Sequence, residues 1–298
     1  MALADHTFSL ELGDGSAVVE WGLGKNVFVL PDGFDPGTVD YRTQDIDIPN
    51  EDNIAFGRDF LSPPTWTFEM ATNGSDEATS LAHQAPLAVA WKSYKLRDTP
   101  SARAILRYGL GGRTRRVYGR PRRWSATYDN RLLSGTHQIV AEFQCADAVH
   151  YDDGLSYHAI DILPVEGGWL VAPLVAPLTT IAGTVRDSGF TVGGDTKTWP
   201  RILFNGPVVD PYISIDGKKV ALTMTLLTGQ QAVIDTAPWV RTVERFPGPA
   251  NISWALTRDT RMSDMALLPG AHELIFGGTD PSGTAKVTVQ WRNAWSSL

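Results

Sequence analysis

Trp199-Pro200-Arg201-Ile202-Leu203-Phe204-Asn205-Gly206-Pro207 is the stretch on which the reading of the fold turns. It heads an ordered series of short motifs separated by strand-like runs. These are Val233-Ile234-Asp235-Thr236 with Arg241-Thr242-Val243, then Leu267-Leu268-Pro269-Gly270, then Val287-Thr288-Val289-Gln290-Trp291-Arg292. Within the series, Tyr212-Ile213-Ser214-Ile215 and residues 218–226 flank Asp216-Gly217, a pair suited to the positive φ angles of a tight hairpin turn. Alternation in the second arm of that hairpin puts Val220, Leu222, Met224 and Leu226 on one face. Gly229-Gln230 turns into Ala232-Val233-Ile234-Asp235. Glu273-Leu274-Ile275-Phe276 and residues 285–291 read as closing strands, separated by the turn Asp280-Pro281-Ser282-Gly283. Short strands at regular spacing, with turn signals and no helix between them, predict a β-sandwich.

Upstream, residues 164–183 are rich in proline and glycine (Glu166-Gly167-Gly168-Trp169, Ala172-Pro173, Ala176-Pro177), which marks a domain boundary. The expected domains are therefore 1–163 and 164–298, and 298 residues suffice for two separate cores. The 28 glycines, 19 prolines and 10 tryptophans favour turns and strands over long helices, so the chain is expected to be mainly β. No apolar run reaches the roughly 18 residues needed to cross a bilayer. Met1-Ala2-Leu3-Ala4-Asp5-His6 has none of the regions of a signal peptide. Folding in a reducing cytoplasm, without membrane insertion, is the expectation. Cys145 is the only cysteine, which excludes an intrachain disulfide and a cysteine-rich zinc site, and its strand-like setting predicts a buried, inert thiol.

The first seventy residues read as strands and turns. Ala17-Val18-Val19-Glu20-Trp21 and Asn26-Val27-Phe28-Val29-Leu30 are short apolar runs, residues 31–53 look more like loop than strand, and Trp66-Thr67-Phe68-Glu69-Met70 alternates as a half-buried strand. Residues 76–95 form the one helical pattern. Ala78, Leu81, Ala82, Ala85, Ala88 and Trp91 fall on helical spacing, and Pro86 is expected to kink or split the helix. Ile139, Ala141, Phe143 and Cys145 alternate as the buried face of a further strand.

Net charge is −7 and unevenly spread. Residues 1–80 carry fifteen Asp or Glu against three Lys or Arg, whereas residues 97–123 carry nine Arg against Asp98. Such a split fits acidic and basic faces that meet on neighbouring copies, and equally two solvated faces of a monomer. Arg113, Arg115, Arg116, Arg120, Arg122 and Arg123 are interleaved with Tyr118 and end at Trp124. Basic residues with aromatics can serve nucleic acid. In an acidic chain without a helix to enter a groove, an intersubunit or lumen-facing loop is the better expectation. His150-Tyr151-Asp152-Asp153, with His158 and Asp161, has no spacing typical of a metal site and reads as a polar corner. No metal or other cofactor is expected.

The ordered motifs of residues 190–298 resemble the C-terminal domain of the distal tail proteins of long-tailed bacteriophages. The resemblance implies a galectin-like β-sandwich in which the matching positions are structural. Trp199 and Pro200 open the motif series. Gly206 and Pro207 shape a turn, Asp235 is the acidic residue at a strand end, Pro269 and Gly270 turn the chain into the penultimate strand, and Trp291 packs the last strand. In the N-terminal half, Gly57-Arg58-Asp59, Pro63-Pro64-Thr65-Trp66, Val117-Tyr118-Gly119-Arg120-Pro121-Arg122-Arg123 and Cys145-Ala146-Asp147 resemble tail proteins of phages infecting actinobacteria. That resemblance implies a β-rich ring-forming domain with a short helical segment. It further implies a homohexameric ring in the virion tail tip, continuing the tail tube, holding receptor-binding or tail-associated proteins below, and leaving a channel for DNA.

Two other classes compete with this reading. A carbohydrate-binding module needs an exposed aromatic platform, for which Trp239, Trp254 and Trp291 are available. A hydrolase is disfavoured, since neither a Gly-x-Ser-x-Gly elbow nor His-Glu-x-x-His occurs and Gly109-Leu110-Gly111-Gly112 is not followed by a helix pattern. No enzyme activity is expected.

Overall fold

The structure is a computed structural model that describes residues 2–13, 18–49, 52–162, 188–280 and 282–298. The expected linker, residues 164–183, lies outside the described residues. The chain is mainly β and divides into two compact units, residues 1–153 with 295–298, and residues 154–294. The strand Ser156–Asp161 precedes the sequence-derived boundary yet pairs with Lys286–Trp291 of the second unit. Composition marked the proline- and glycine-rich stretch, whereas strand pairing carries the division back to Gly154.

In the first unit, seven strands run antiparallel in the order Val19–Gly22, Thr7–Glu11, Ala104–Leu110, Arg113–Thr127, Gln138–Cys145, Thr65–Thr72 and Val27–Asp35. Gln138–Cys145 shows the expected period of two, with Ile139, Ala141, Phe143 and Cys145 all buried. Arg113–Thr127 is the long strand of the sheet. Residues 113–119 pair with Ala104–Leu110, and residues 119–127 pair with Gln138–Cys145 through a bulge between Pro121 and Trp124. The change of partner occurs at Gly119, where a Cβ would stand 2.1 Å from the Gln144 carbonyl oxygen. A side chain at 119 would therefore break the ladder.

An aromatic core fills the inner face. Phe8, Trp21, Trp66 and Phe68 are fully buried, and Phe8, Phe34, Phe68 and Trp21 meet at centroid distances of 5.0–5.8 Å. These spacings fall in the favourable range for aromatic pairs. Helix α1 (Glu77–Trp91) closes the core and is capped by Asp76, whose carboxylate accepts from the Thr79 amide at 2.8 Å. It is followed by the short α2 (Tyr94–Asp98).

The helix departs from expectation in two respects. Of the kink or split expected at Pro86, the split does not occur. Pro86 and Ala82, whose carbonyl loses its amide partner, are both on the exposed side, where water substitutes, while Leu87, Ala90 and Trp91 anchor the next turn in the core. The buried face also differs from the expected apolar stripe: Ala78, Ala82 and Ala85 are exposed, and Ser80, Gln84, Leu87, Ala90 and Trp91 are buried.

In the second unit, a six-stranded antiparallel sheet runs Ser156–Asp161, Lys286–Trp291, Arg201–Asn205, Gln231–Asp235, Thr242–Phe246 and Ala250–Asn251. A second sheet pairs Val208–Ile215 with Lys218–Ala221, Thr225–Leu226 and Leu274–Thr279. Both sheets contribute to one core: Ile202, Phe204, Ile234, Val287 and Val289 from the first join Ile213, Ile215, Val220 and Leu274 from the second. This is the expected β-sandwich. The hairpin at Asp216-Gly217 is present, with φ of +50° and +79°. The two closing strands belong to opposite sheets.

Candidate functional site

The six arginines expected at one intersubunit or lumen-facing loop are spread along a strand. Their burial does not alternate: adjacent Arg115 and Arg116 are both covered, and Arg122 and Arg123, at the bulge, are both exposed. Arg113, Arg122 and Arg123 are exposed, Arg120 is half-buried, and Arg115 and Arg116 are buried at 4% and 6% exposure.

Each inward arginine has a protein partner. The Arg116 guanidinium donates to the Asp153 carboxylate through Nε at 2.9 Å and also through Nη2, and Arg107 Nε donates to the same oxygen at 2.9 Å. Arg107 Nη2 reaches Glu11 at 2.5 Å. Burial pushes the Asp153 carboxyl up, but Arg116 and then Arg107 outweigh it and hold it below the usual carboxylate range. Arg115 Nη1 donates to the Ser297 carbonyl at 2.7 Å, and its guanidinium lies 4.7 Å from the Trp295 ring centroid. Trp295 Nε1 donates to Asp152 at 2.9 Å. Arg115 and Arg116 thus hold the first unit together, with Arg115 fastening the returning segment 295–298.

The outer arginines lie where the ends of α1 and α2 meet the middle of this strand. Arg120 donates to the carbonyls of Ala102 (2.8 Å), Thr99 (2.6 Å) and Pro100 (2.8 Å) at the end of α2. Trp91, the last residue of α1, packs 6.0 Å from Trp124 and donates to the Glu142 carbonyl at 3.1 Å, while Arg123 pairs with the Glu142 carboxylate at 3.2 Å. Lys92, Arg97 and Arg122 are exposed and, among the described residues, have no ion-pair partner. This part of the first unit is rich in basic side chains.

Opposite in character is a feature whose first limb, within residues 31–53, sequence reading placed in a loop. Residues 36–49 and 52–64 form a two-stranded arm, in which Tyr41–Arg42 pairs with Phe60–Leu61 and Ile46–Asp47 pairs with Ile54–Ala55. Every residue of 38–47 and 52–61 is exposed, including Phe56 at 88%, Ile46 at 68% and Tyr41 at 67%. The acidic punctuation hid the strands, because carboxylates stand where alternation would otherwise show.

The residues of the expected polar corner take separate roles. His150 Nδ1 and the Tyr108 hydroxyl share a hydrogen bond of 2.8 Å, and the Tyr151 hydroxyl donates to Asp147 at 2.8 Å. Burial pushes the Asp147 carboxyl up to about 6, opposed by the Tyr151 hydroxyl. His158 and Asp161 belong to the other unit. Among the described residues, no group of His, Cys, Asp and Glu is placed to hold a metal ion. Burial also raises the Cys145 thiol well above its ordinary range. An open groove of about 830 Å³ beside Val27–Asp35 is lined chiefly by apolar groups, among them Leu23, Phe28, Leu30 and Phe34.

In the second unit the motif positions take structural places. Trp199 is half-buried and Pro200 buried, with the Pro200 carbonyl accepting from the Thr236 hydroxyl at 2.6 Å. Gly206-Pro207 is a cis peptide between the strands Arg201–Asn205 and Val208–Ile215. Asp235 ends its strand and accepts from the Ala237 amide at 3.0 Å, with burial raising its pKa. Pro269 is exposed, and Gly270, at φ +128°, opens the short strand Gly270–His272. Trp291 is buried 4.8 Å from Phe190. Trp239 is half-buried and Trp254 is 75% exposed.

Compared with solved structures, the chain matches over nearly its whole length. The SPP1 Dit protein, described as a paradigm of the hub adsorption apparatus in phages infecting Gram-positive bacteria, superimposes with a TM-score of 0.60, covering 96% of this chain and 98% of that one at 14% identity. The chain has the fold of a distal tail protein. One chain of the phage P2 baseplate in its activated conformation matches the same fold with a TM-score of 0.57 in the calcium form and 0.59 in the strontium form. Each covers 95% of this chain and 97% of the other at 12% identity. No protein-family model matches the sequence. No curated protein matches it either. The distal tail fold therefore persists here at an identity where sequence alone carries little signal. Among the described residues, no helix is long and apolar enough to cross a membrane.

Proposed function

We propose that this chain is a structural subunit of a phage tail tip, a distal tail hub. Copies close a homohexameric ring that continues the tail tube, holds receptor-binding or tail-associated proteins below, and leaves a passage for DNA. The reading is supported above all by the match of both units, in one chain, to the SPP1 hub protein over 96% of the sequence. The galectin-like character of the sandwich and the virion location belong to the same proposal. Its work is assembly rather than catalysis: surface chemistry fixes partners, and the channel passes DNA without reading it. Native mass by light scattering, with negative-stain imaging, tests it. Six copies around a central hole are expected; a monomer at every concentration overturns it.

One observation favours a second reading, a carbohydrate-binding contribution to host attachment. Trp254 stands 75% exposed on a 3-10 turn of the second unit, beside Asn251 and Ser253. Exposed tryptophan faces stack on sugar rings. Binding of cell-wall glycans that Trp254→Ala abolishes supports it, and an unresponsive glycan array removes it.

A further inference from the structure

At one end of the six-stranded sheet of the second unit lies an open pocket of about 440 Å³. One rung of the sheet supplies its main side chains. Asn205, Gln231 and Phe246 are direct cross-strand partners, so they stand on the same face. Phe204 and Ala232, which alternate with them, are fully buried in the core, so that face is the outer one. The turn 227–230 adds Gly229 and Gln230 to the lining. It is held by the Gln230 amide on the Leu227 carbonyl and by the Gly206 amide on the Gln230 carbonyl, both at 2.9 Å.

The lining residues offer three amide side chains and one aromatic ring, and none of them is ionisable. The amides are half-buried and set in place. Gln231 Nε2 donates to Asn205 Oδ1 at 2.7 Å, and Gln230 Oε1 accepts from the Leu227 amide at 3.0 Å. Those bonds decide which end of each amide is spent. Among the described residues, Asn205 Nδ2 and Gln230 Nε2 are left as donors and Gln231 Oε1 as an acceptor. Fixed donors and acceptors beside a ring suit a hydroxyl-rich ligand: its hydroxyls meet the amides and its C–H face meets the phenyl group. An anion would find no spare cation, since Lys286, the register partner of Asn205, has Asp161 4.0 Å away.

We propose that this pocket binds a neutral saccharide unit, with Asn205, Gln230 and Gln231 reading its hydroxyls and Phe246 packing on its ring. The inference rests on the carbohydrate reading and gives it a seat that Trp254 does not line. It is independent of ring closure.

Titration of the full chain with the methyl glycosides of glucose, galactose, rhamnose and N-acetylglucosamine, followed by saturation-transfer NMR and calorimetry, tests it. A ligand of about a dozen heavy atoms should bind with a Kd on the order of 1 mM. Asn205→Asp keeps the acceptor that holds Gln231 but removes the free donor, so it should weaken binding about tenfold with the melting curve unchanged. Phe246→Leu should weaken it similarly, and Trp254→Ala should leave it in place. Preference for a glucoside, galactoside or rhamnoside supports the site and points to a wall polysaccharide as the source. Preference for the N-acetylglucosaminide supports it and points to the peptidoglycan backbone. Binding lost in Trp254→Ala but kept in Asn205→Asp overturns the pocket and leaves the carbohydrate reading standing. Binding indifferent to every substitution overturns both seats. No binding by the wild type overturns the carbohydrate reading itself.

Discussion

Ser80 Oγ lies 2.8 Å from Nδ1 of His137, tying the first buried side chain of α1 to the entrance of the strand Gln138–Cys145. The two belong to a closed polar set. Thr72 Oγ1 is 2.6 Å from Ser80 Oγ and 3.0 Å from His137 Nδ1, Gln84 Oε1 is 2.9 Å from His137 Nε2, and Gln84 Nε2 donates to the Tyr128 hydroxyl at 3.1 Å. Buried polar groups are tolerable when every partner is supplied, and then they fix one arrangement of helix on sheet.

Ser80→Ala removes one member but leaves Thr72 and His137 in contact, so it should cost about 1–2 kcal/mol in denaturant unfolding. His137→Ala, which orphans Ser80, Thr72 and Gln84 together, should cost clearly more. Equal costs for the two would show that the set does not act as a unit.

Burial holds the His137 imidazole below its ordinary value of 6.5, with Asp129 opposing more weakly. Below that ordinary value the unfolded chain binds a proton at this position that the folded chain refuses. The stability contributed here is therefore full above pH ~6.5 and is lost as pH falls toward the lowered value. Unfolding measured at about pH 7.5 and about pH 5.5 should show the loss in the wild type and a shallower loss in His137→Gln. Identical slopes would remove His137 as its source.

Asp280 shows how the sandwich closes its last turn. Its carboxylate accepts from the amides of Ser282 (2.8 Å), Thr284 (2.7 Å) and Ala285 (2.8 Å), and from the Ser282 hydroxyl at 2.6 Å. Asp280→Ala strands these donors, and about 2–3 kcal/mol should be lost, whereas Asp280→Asn should recover part of it. Chemical denaturation of the three proteins checks the order.

Trp295 stacks on Arg115 and bonds Asp152, so Trp295→Ala should loosen the first unit by about 2 kcal/mol. Hydrogen exchange should report faster opening at residues 113–116 and 150–152, with strands of the second unit unchanged. Uniform acceleration across both units would contradict a local fastening.

Trp254 is exposed and outside the core, so Trp254→Ala should change the melting temperature little whether or not the glycan reading holds. A large drop would assign it a packing role.

Where one face of an element meets the core and the other meets water, sequence reading found it. The alternation of Ile139, Ala141, Phe143 and Cys145 and the Asp216-Gly217 turn both depend on neighbours close in the chain. It failed where burial is polar or exposure apolar. Ser80 and Gln84 face inward because His137, more than fifty residues away, completes their hydrogen bonds. Arg115 and Arg116 read as part of an intersubunit or lumen-facing surface because their partners, Ser297 and Asp153, are contributed from elsewhere in the chain. Phe56 and Ile46 are exposed in the arm, where hydropathy alone would have sent them to a core. Of the candidate site, the charge asymmetry was legible and the division of the arginines was not.

Residues 295–298 rejoin the unit that holds residues 1–153. The sandwich is thus strung on the first unit like a loop on a rope whose two ends are knotted together. A pull applied through Thr7–Glu11 and Trp295 loads the hydrogen bonds of the first unit and passes no tension through residues 154–294 until the Arg115–Trp295 fastening gives way. Mechanical load along the chain would be borne by one unit while the other stays slack.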